Sequence, residues 1–305
     1  MNPNKIHFGW LDSVRGFAVL FVLAYHCLFW PFQSTHISWK GNCRDFGQSL
    51  DFLILTPITF GWAGVAVFFV VSGFCIHLSF LRHPNFKNFF WKRFWRICPP
   101  YFVCLILFFV GDLATGQLVG TSNATFQFFS HFFFVHNLWK ETHFGINPSF
   151  WSIAVEAQLY LIYPILLVFQ KRLGWARALS AALILELVCN TSFYGSREYL
   201  YSIPTRLFSN GPFAYWFSWS LGAYLAQSTL TSRKNFWPRI AHPIPILILV
   251  LAAWLYQPLT SLSFLFVSLL TASLMARRLS IDLRLQQQGT AGNSREQPAG
   301  WVLLD

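Results

Sequence analysis

Apolar residues run along this chain in blocks long enough to cross a bilayer, and polar residues collect between the blocks. A hydrocarbon core of about 30 Å takes about 20 mostly apolar residues as helix. Eight windows have this character: residues 11–32, 60–81, 97–110, 150–169, 178–194, 211–226, 243–256 and 259–276. The second is interrupted only by Ser72, His77 and Ser79; the fourth holds one carboxylate, Glu156; the sixth holds no charge. The last two are joined by a short loop and so run antiparallel. A ninth stretch, 126–139, has 14 residues and contains His131, His136 and Asn137. That length suits a re-entrant or interfacial segment. The expected fold is an all-α, polytopic integral membrane helical bundle of about eight spans plus this short segment, or nine spans if it crosses.

Positive charge tests the topology, because Lys and Arg collect on the cytoplasmic side of membrane proteins. With the amino terminus inside and residues 126–139 not crossing, 17 of the 22 Lys and Arg residues face the cytoplasm. Lys40, Arg44, Lys140, Arg197 and Arg206 face outward. If 126–139 crossed, Lys171, Arg172 and Arg177 would face outward. The expected location is the inner (plasma) membrane, multi-pass, with a cytoplasmic amino terminus.

The 305 residues are 55% hydrophobic, 19% aromatic and 11% charged. Soluble domains carry about 25% charge, so scarce charge, with 35 Phe and 14 Trp, argues for lipid contact. It excludes a disordered chain and, despite the net +11, a nucleic-acid-binding domain, since topology accounts for the basicity. The first window follows a lysine as a signal peptide would, yet it contains Arg15 and His26 and reads as an uncleaved helix.

Of six cysteines, only Cys43 falls clearly in an outer loop. No spacing suggests a metal site, and a Cys43–Cys189 bridge is the one geometric option. The domain reading is a transmembrane unit at 1–278 and a polar, disordered cytoplasmic tail at 279–305.

Ionisable groups inside membrane helices are costly and mark function. Arg15 and His26 are eleven residues apart, which brings them within about 20° on one helix face with a rise of about 16 Å. Val19 and Val22 lie between them. Asp12 can pair with Arg15 at i+3. Arg15 alone also fits a snorkelling anchor. Glu156 lies about 9 Å into a helix starting near residue 150. Its depth matches that of His26, so a His26–Glu156 pair would orient a general base. Ser152 and Tyr160 extend the Glu156 face at i−4 and i+4. Glu186 reads as structural. His77, His131, His136 and His143 read as interfacial or loop histidines. Arg93 and Arg96 share a face at the cytoplasmic mouth and suit phosphate recognition, while Lys87 and Lys92 suit headgroup anchoring. Phe94 and Trp95 could stack on a nucleotide or mark the interface.

Four segments together resemble the membrane-bound acyltransferase-3 family of cell-surface carbohydrate O-acyltransferases. They are Leu-Asp-Ser-Val-Arg-Gly at 11–16 through His26, Phe-Phe-Val-Val-Ser-Gly-Phe at 68–74, Arg-Phe-Trp-Arg-Ile-Cys-Pro at 93–99, and Phe-Trp-Ser-Ile-Ala-Val-Glu at 150–156 through Tyr160 and Pro164. The resemblance covers about residues 8–275 of the chain. It implies a cytoplasmic acyl-CoA donor, acetyl-CoA by family habit, with no metal. It also implies a glycan or glycolipid acceptor with a hydroxyl reached from the outer side. His26 matches the family's essential histidine, Arg15 the arginine of the same motif, and Arg93 and Arg96 the pair linked to donor binding.

On that expectation donor phosphates sit at Arg15, Arg93 and Arg96, and a pantetheine arm reaches His26. His26 removes the acceptor proton while Glu156 orients it, or His26 carries the acyl group transiently. Family members usually have about ten spans and an aromatic, Ser-Tyr-rich end. Here the apolar sequence stops near Ala276, so the chain reads as missing the C-terminal helices. Two alternatives stand beside the enzyme: a proton-coupled transporter using His26, Glu156 and Arg15, and an inactive truncated family member.

Overall fold

The computed structural model describes residues 8–29, 58, 60–116, 124–192, 207–231 and 242–295. Lys40, Arg44, Arg197 and Arg206, Cys43, and the basic group Arg233, Lys234 and Arg239 lie outside the described residues, as do Lys5 and the tail beyond 295. Cys189 is a buried thiol.

Every regular element among the described residues is helical. Helix α1 (Gly9–Ala24) widens into a π turn over Tyr25–Phe29. A 3-10 turn at Phe60–Trp62 leads into α2 (Ala63–Arg82). α2 ends at His83, the residue before Pro84, where helical backbone is disfavoured. α3 (Phe86–Thr115) starts on Asn85, whose side chain accepts from the Asn88 amide at 3.1 Å. It contains Pro99 and Pro100 and stops at Gly116, φ 74°. α4 (Ala124–Phe132) and a 3-10 turn at His136–Leu138 form a short hairpin. α5 (Phe150–Ser192), α6 (Trp216–Leu230), α7 (Pro243–Leu255) and α8 (Ser263–Arg295) follow.

Among the described residues, four helices are long and apolar enough to cross a membrane: Phe60–Arg82, Phe86–Thr115, Phe150–Thr191 and Leu259–Leu285; Pro243–Leu255 is a shorter apolar helix. The expected windows 150–169 and 178–194 are the two arms of α5, which breaks at Gly174, φ 80° and ψ 164°. Lys171, Arg172 and Arg177 flank that break. α4 has nine residues, a rise of about 14 Å, too short to cross a bilayer core.

Beyond 278, α8 continues to Arg295. Leu279 is 1% exposed in the core. Asp282 accepts from Trp10 Nε1 at 2.8 Å and pairs with Arg278 at 3.3 Å. These contacts keep the chain helical past the apolar stretch.

α2 and α6 are the centre of the bundle. Phe69, Val70, Val71, Phe74, Trp219, Leu221 and Ala223 are all fully buried there. Gly73 and Gly222 make this possible. A Cβ at Gly73 would strike the Trp219 carbonyl, and one at Gly222 the Val70 carbonyl. Such small residues let membrane helices approach to backbone contact. α1 runs antiparallel to α2, with Tyr25 packed on Gly61 and Ala18 on Gly64. α3 lies at the edge and buries only Phe89, Arg93, Tyr101 and Leu105.

Candidate active site

Arg15 lies on the half-buried side of α1 and pairs with Asp12 at 3.7 Å, as its spacing suggested. His26 lies on the π turn, half-buried, its ring edge-on to Tyr25 at 5.4 Å. Ala18 and Val22 cover the face between them, whereas Val19 is 55% exposed.

Glu156 is buried, but His26 is not what holds it. Ser72 Oγ donates to its Oε1 at 2.7 Å, and the Tyr160 hydroxyl donates to the same oxygen. Its electrostatic neighbours are Arg15 and Arg93. The expected His26–Glu156 pair is therefore replaced by a carboxylate on the arginine level of the bundle. The reason is depth. Tyr25 packs on Gly61, while Glu156 bonds Ser72, eleven residues along α2 and so about 16 Å away along its axis. Measuring each residue from its own helix end missed that offset.

Arg93 and Arg96 also part company. α3 meets the bundle along a stripe one residue wide, at spacings of four: Phe89, Arg93, Ile97, Tyr101 and Leu105. Arg93 lies on that stripe, 9% exposed, with its guanidinium carbon 5.8 Å from the Phe89 ring centre. Its Nε has no hydrogen-bond partner. Arg96 is about 60° round the helix and is exposed. Trp91 and Trp95 flank it on the outside at 62% and 56% exposure.

Ser152 does not join the Glu156 cluster. Its hydroxyl donates to the Ser149 carbonyl at 3.0 Å, closing the first turn of α5. Ser72 takes the place expected of it. Sequence reasoning missed Ser72, although it is the only polar residue between 60 and 76 and lies in one of the four motif segments.

Two further polar knots stiffen the bundle. His77 bonds the Tyr163 hydroxyl at 2.8 Å and Gln227 at 3.0 Å. Glu186 accepts from the amide of Ser218 at 3.0 Å and from its hydroxyl at 2.6 Å, so the structural role read for it has a partner at the start of α6.

The arrangement is thus a buried carboxylate, an unpaired buried guanidinium and a half-buried arginine at one level, and a half-buried histidine toward the opposite end. The acyltransferase domain model of the acyltransferase-3 family matches residues 8–286, a stretch that includes all of these groups. The chain belongs to the acyltransferase-3 family. It is similar to a peptidoglycan O-acetyltransferase of Listeria monocytogenes, 31% identical over 178 residues, covering 53% of this chain and 24% of that protein. Nodulation protein 10 of Rhizobium leguminosarum is 29% identical over 45% of this chain and 41% of its own length. An O-acetyl transferase of Shigella phage Sf6 is 26% identical over 61% of this chain and 63% of its own length. The chain thus matches from a quarter to under two thirds of these relatives. No solved structure matches it.

Proposed function

We propose that this acyltransferase-3 protein is an integral-membrane O-acyltransferase that moves an acyl group, acetyl in the simplest case, from acyl-CoA on the cytoplasmic side to a hydroxyl of an exported carbohydrate. Its setting is the inner membrane, with the amino terminus inside. The observation that carries this reading is the convergence of Arg15, Ser72, Arg93 and Glu156 from four helices into one polar cluster, with His26 about one pantetheine length further on.

Arg15 and Arg93 bind the donor's pyrophosphate, for which the unpaired guanidinium of Arg93 is preorganised. Arg96, at the rim, takes an outer phosphate. The thioester then lies near His26. As the acceptor oxygen attacks the thioester carbonyl, His26 takes its proton, the C–S bond breaks, and CoA leaves as a thiolate that recovers the proton. Glu156, fixed by Ser72 and Tyr160, is a positioning residue: its charge holds Arg15 and Arg93 at one level, facing the donor. That role replaces an orienting contact with His26.

The test is transfer of labelled acetyl from acetyl-CoA to membrane-associated carbohydrate. His26→Ala inserts normally and loses at least about a hundredfold in rate. Glu156→Gln keeps the proton-transfer step and raises the donor KM. Transfer at the wild-type rate in His26→Ala overturns the mechanism.

A further inference from the structure

The hairpin between α3 and α5 holds buried groups that the acyl-transfer site does not use. His131 on α4 and His136 on the 3-10 turn are both fully buried. Their rings stack in parallel, centres 3.9 Å apart and planes within 3°. Three of their four nitrogens, Nε2 of His131 and both of His136, lack a hydrogen-bond partner. The Phe150 backbone turns an acceptor toward His136, outside hydrogen-bond geometry, which favours an N–H on that side of the ring. Sealed polar atoms without partners are rare in native proteins and call for an explanation.

Their chemistry narrows the ligand. Nδ1 of His131 donates to the Gln127 carbonyl at 2.7 Å, which fixes the tautomer and leaves Nε2 a bare acceptor. Burial holds the ring neutral, its pKa down to about 4. An anion would meet a lone pair there. A metal ion would need ring planes that converge, and these are parallel. What satisfies the pair is a neutral group with O–H donors. His136 can both donate and accept, and the amide oxygen of Gln127, one turn before His131, is a further unmatched acceptor. Phe134, stacked on Tyr101 at 4.5 Å, and Phe150, 6.2 Å from His131, wall the spot. A few polar atoms among aromatic rings suit an amphipathic, hydroxyl-rich ring.

We propose that His131 and His136 bind hydroxyls of the carbohydrate acceptor, a reading that rests on the acyltransferase function above. The hairpin packs at the start of α5, the end opposite the basic start of α3, where an exported acceptor would arrive. It must open to admit a ligand, and its turn is built for that: Phe134, between the two histidines, has φ 56°, a left-handed backbone that a non-glycine residue adopts under strain.

Phenylalanine at either position keeps the ring stack and removes the nitrogens. His136→Phe in the purified full chain therefore keeps or raises the thermal midpoint, and His131→Phe, which also gives up the Gln127 bond, lowers it by no more than one hydrogen bond's worth. Each raises the acceptor KM by about tenfold per lost hydrogen bond and leaves the donor KM unchanged. Binding is read independently by the tryptophan fluorescence of wild-type protein titrated with glucose, galactose, rhamnose or N-acetylglucosamine. A saturable change that weakens in the Phe variants supports the site even if no acetyl transfer is detected, which would sink only the enzymatic reading. Acetyl transfer with the wild-type acceptor KM in both variants overturns the site and leaves the enzyme standing. So does the absence of a saturable signal with all four sugars.

Discussion

α2 and α3 are neighbours in sequence and similarly apolar, yet 67% of the α2 window is buried and only 11% of the α3 window. α2 is closed on α6 by glycine against carbonyl, on α1 by Gly64, and on α5 through Ser72. α3 touches its neighbours along one line of side chains. Both supply the candidate site, α2 with Ser72 and α3 with Arg93. The contrast teaches that apolar length announces a membrane helix without announcing its place in the bundle. It also implies different vulnerabilities. Substitutions in α2 should act on the fold, and those in α3 on the site.

The largest expected effect is at the glycine contact. Gly73→Leu drives a side chain into the Trp219 carbonyl and should cost about 3 kcal/mol or more. It is read as loss of monodisperse protein after detergent extraction. Equal yield of Gly73→Leu and Gly111→Leu, the latter in open space on α3, would break the comparison.

Next is Phe74→Ala, at a fully buried position of α2, expected to cost about 3–5 kcal/mol. Leu107→Ala on α3, 67% exposed, should shift stability by less than about 0.5 kcal/mol. Thermal midpoints of the two variants measure this directly.

Ser72→Ala comes third. It strips one donor from the buried Glu156 carboxylate and should cost about 1–3 kcal/mol. A milder loss than Phe74→Ala, with a raised donor KM, is the expected signature.

The pH effect is smallest near neutrality and sits outside both helices. His131 is held down at about 4 from an ordinary 6.5, mainly by burial. Its folded pKa lies below the unfolded one, so the opened hairpin binds more protons in between. Docking is fully stable above about 6.5 and weakens by up to about 1.4 kcal/mol per pH unit as the pH falls from there toward 4. Limited proteolysis of the hairpin across that range checks it, and His131→Phe should flatten the dependence.

The helical class and most apolar blocks were legible from hydropathy alone, and even the break in α5 was marked by Lys171, Arg172 and Arg177. What stayed hidden was relative depth and rotation. Glu156 and His26 each look equally deep when counted from their own ends, and only the packing of Tyr25 on Gly61 reveals the offset. Arg93 and Arg96 look equivalent at a spacing of three until the narrow stripe of α3 separates them. Ser72 was visible as a polar residue in an apolar run, but its partner lies 84 positions away. The helical extension past 278 depended on Trp10, at the other end of the chain.

That last bond ties residues 272 positions apart. Helix α1, which carries Arg15, leaves the ribosome before α8, because chains emerge amino terminus first. It receives the Trp10–Asp282 tether only once α8 has been made. The polar cluster around Arg15 is therefore completed late in biosynthesis, and a chain halted before Asp282 would contain every residue of the four motifs while α1 still lacked its anchor.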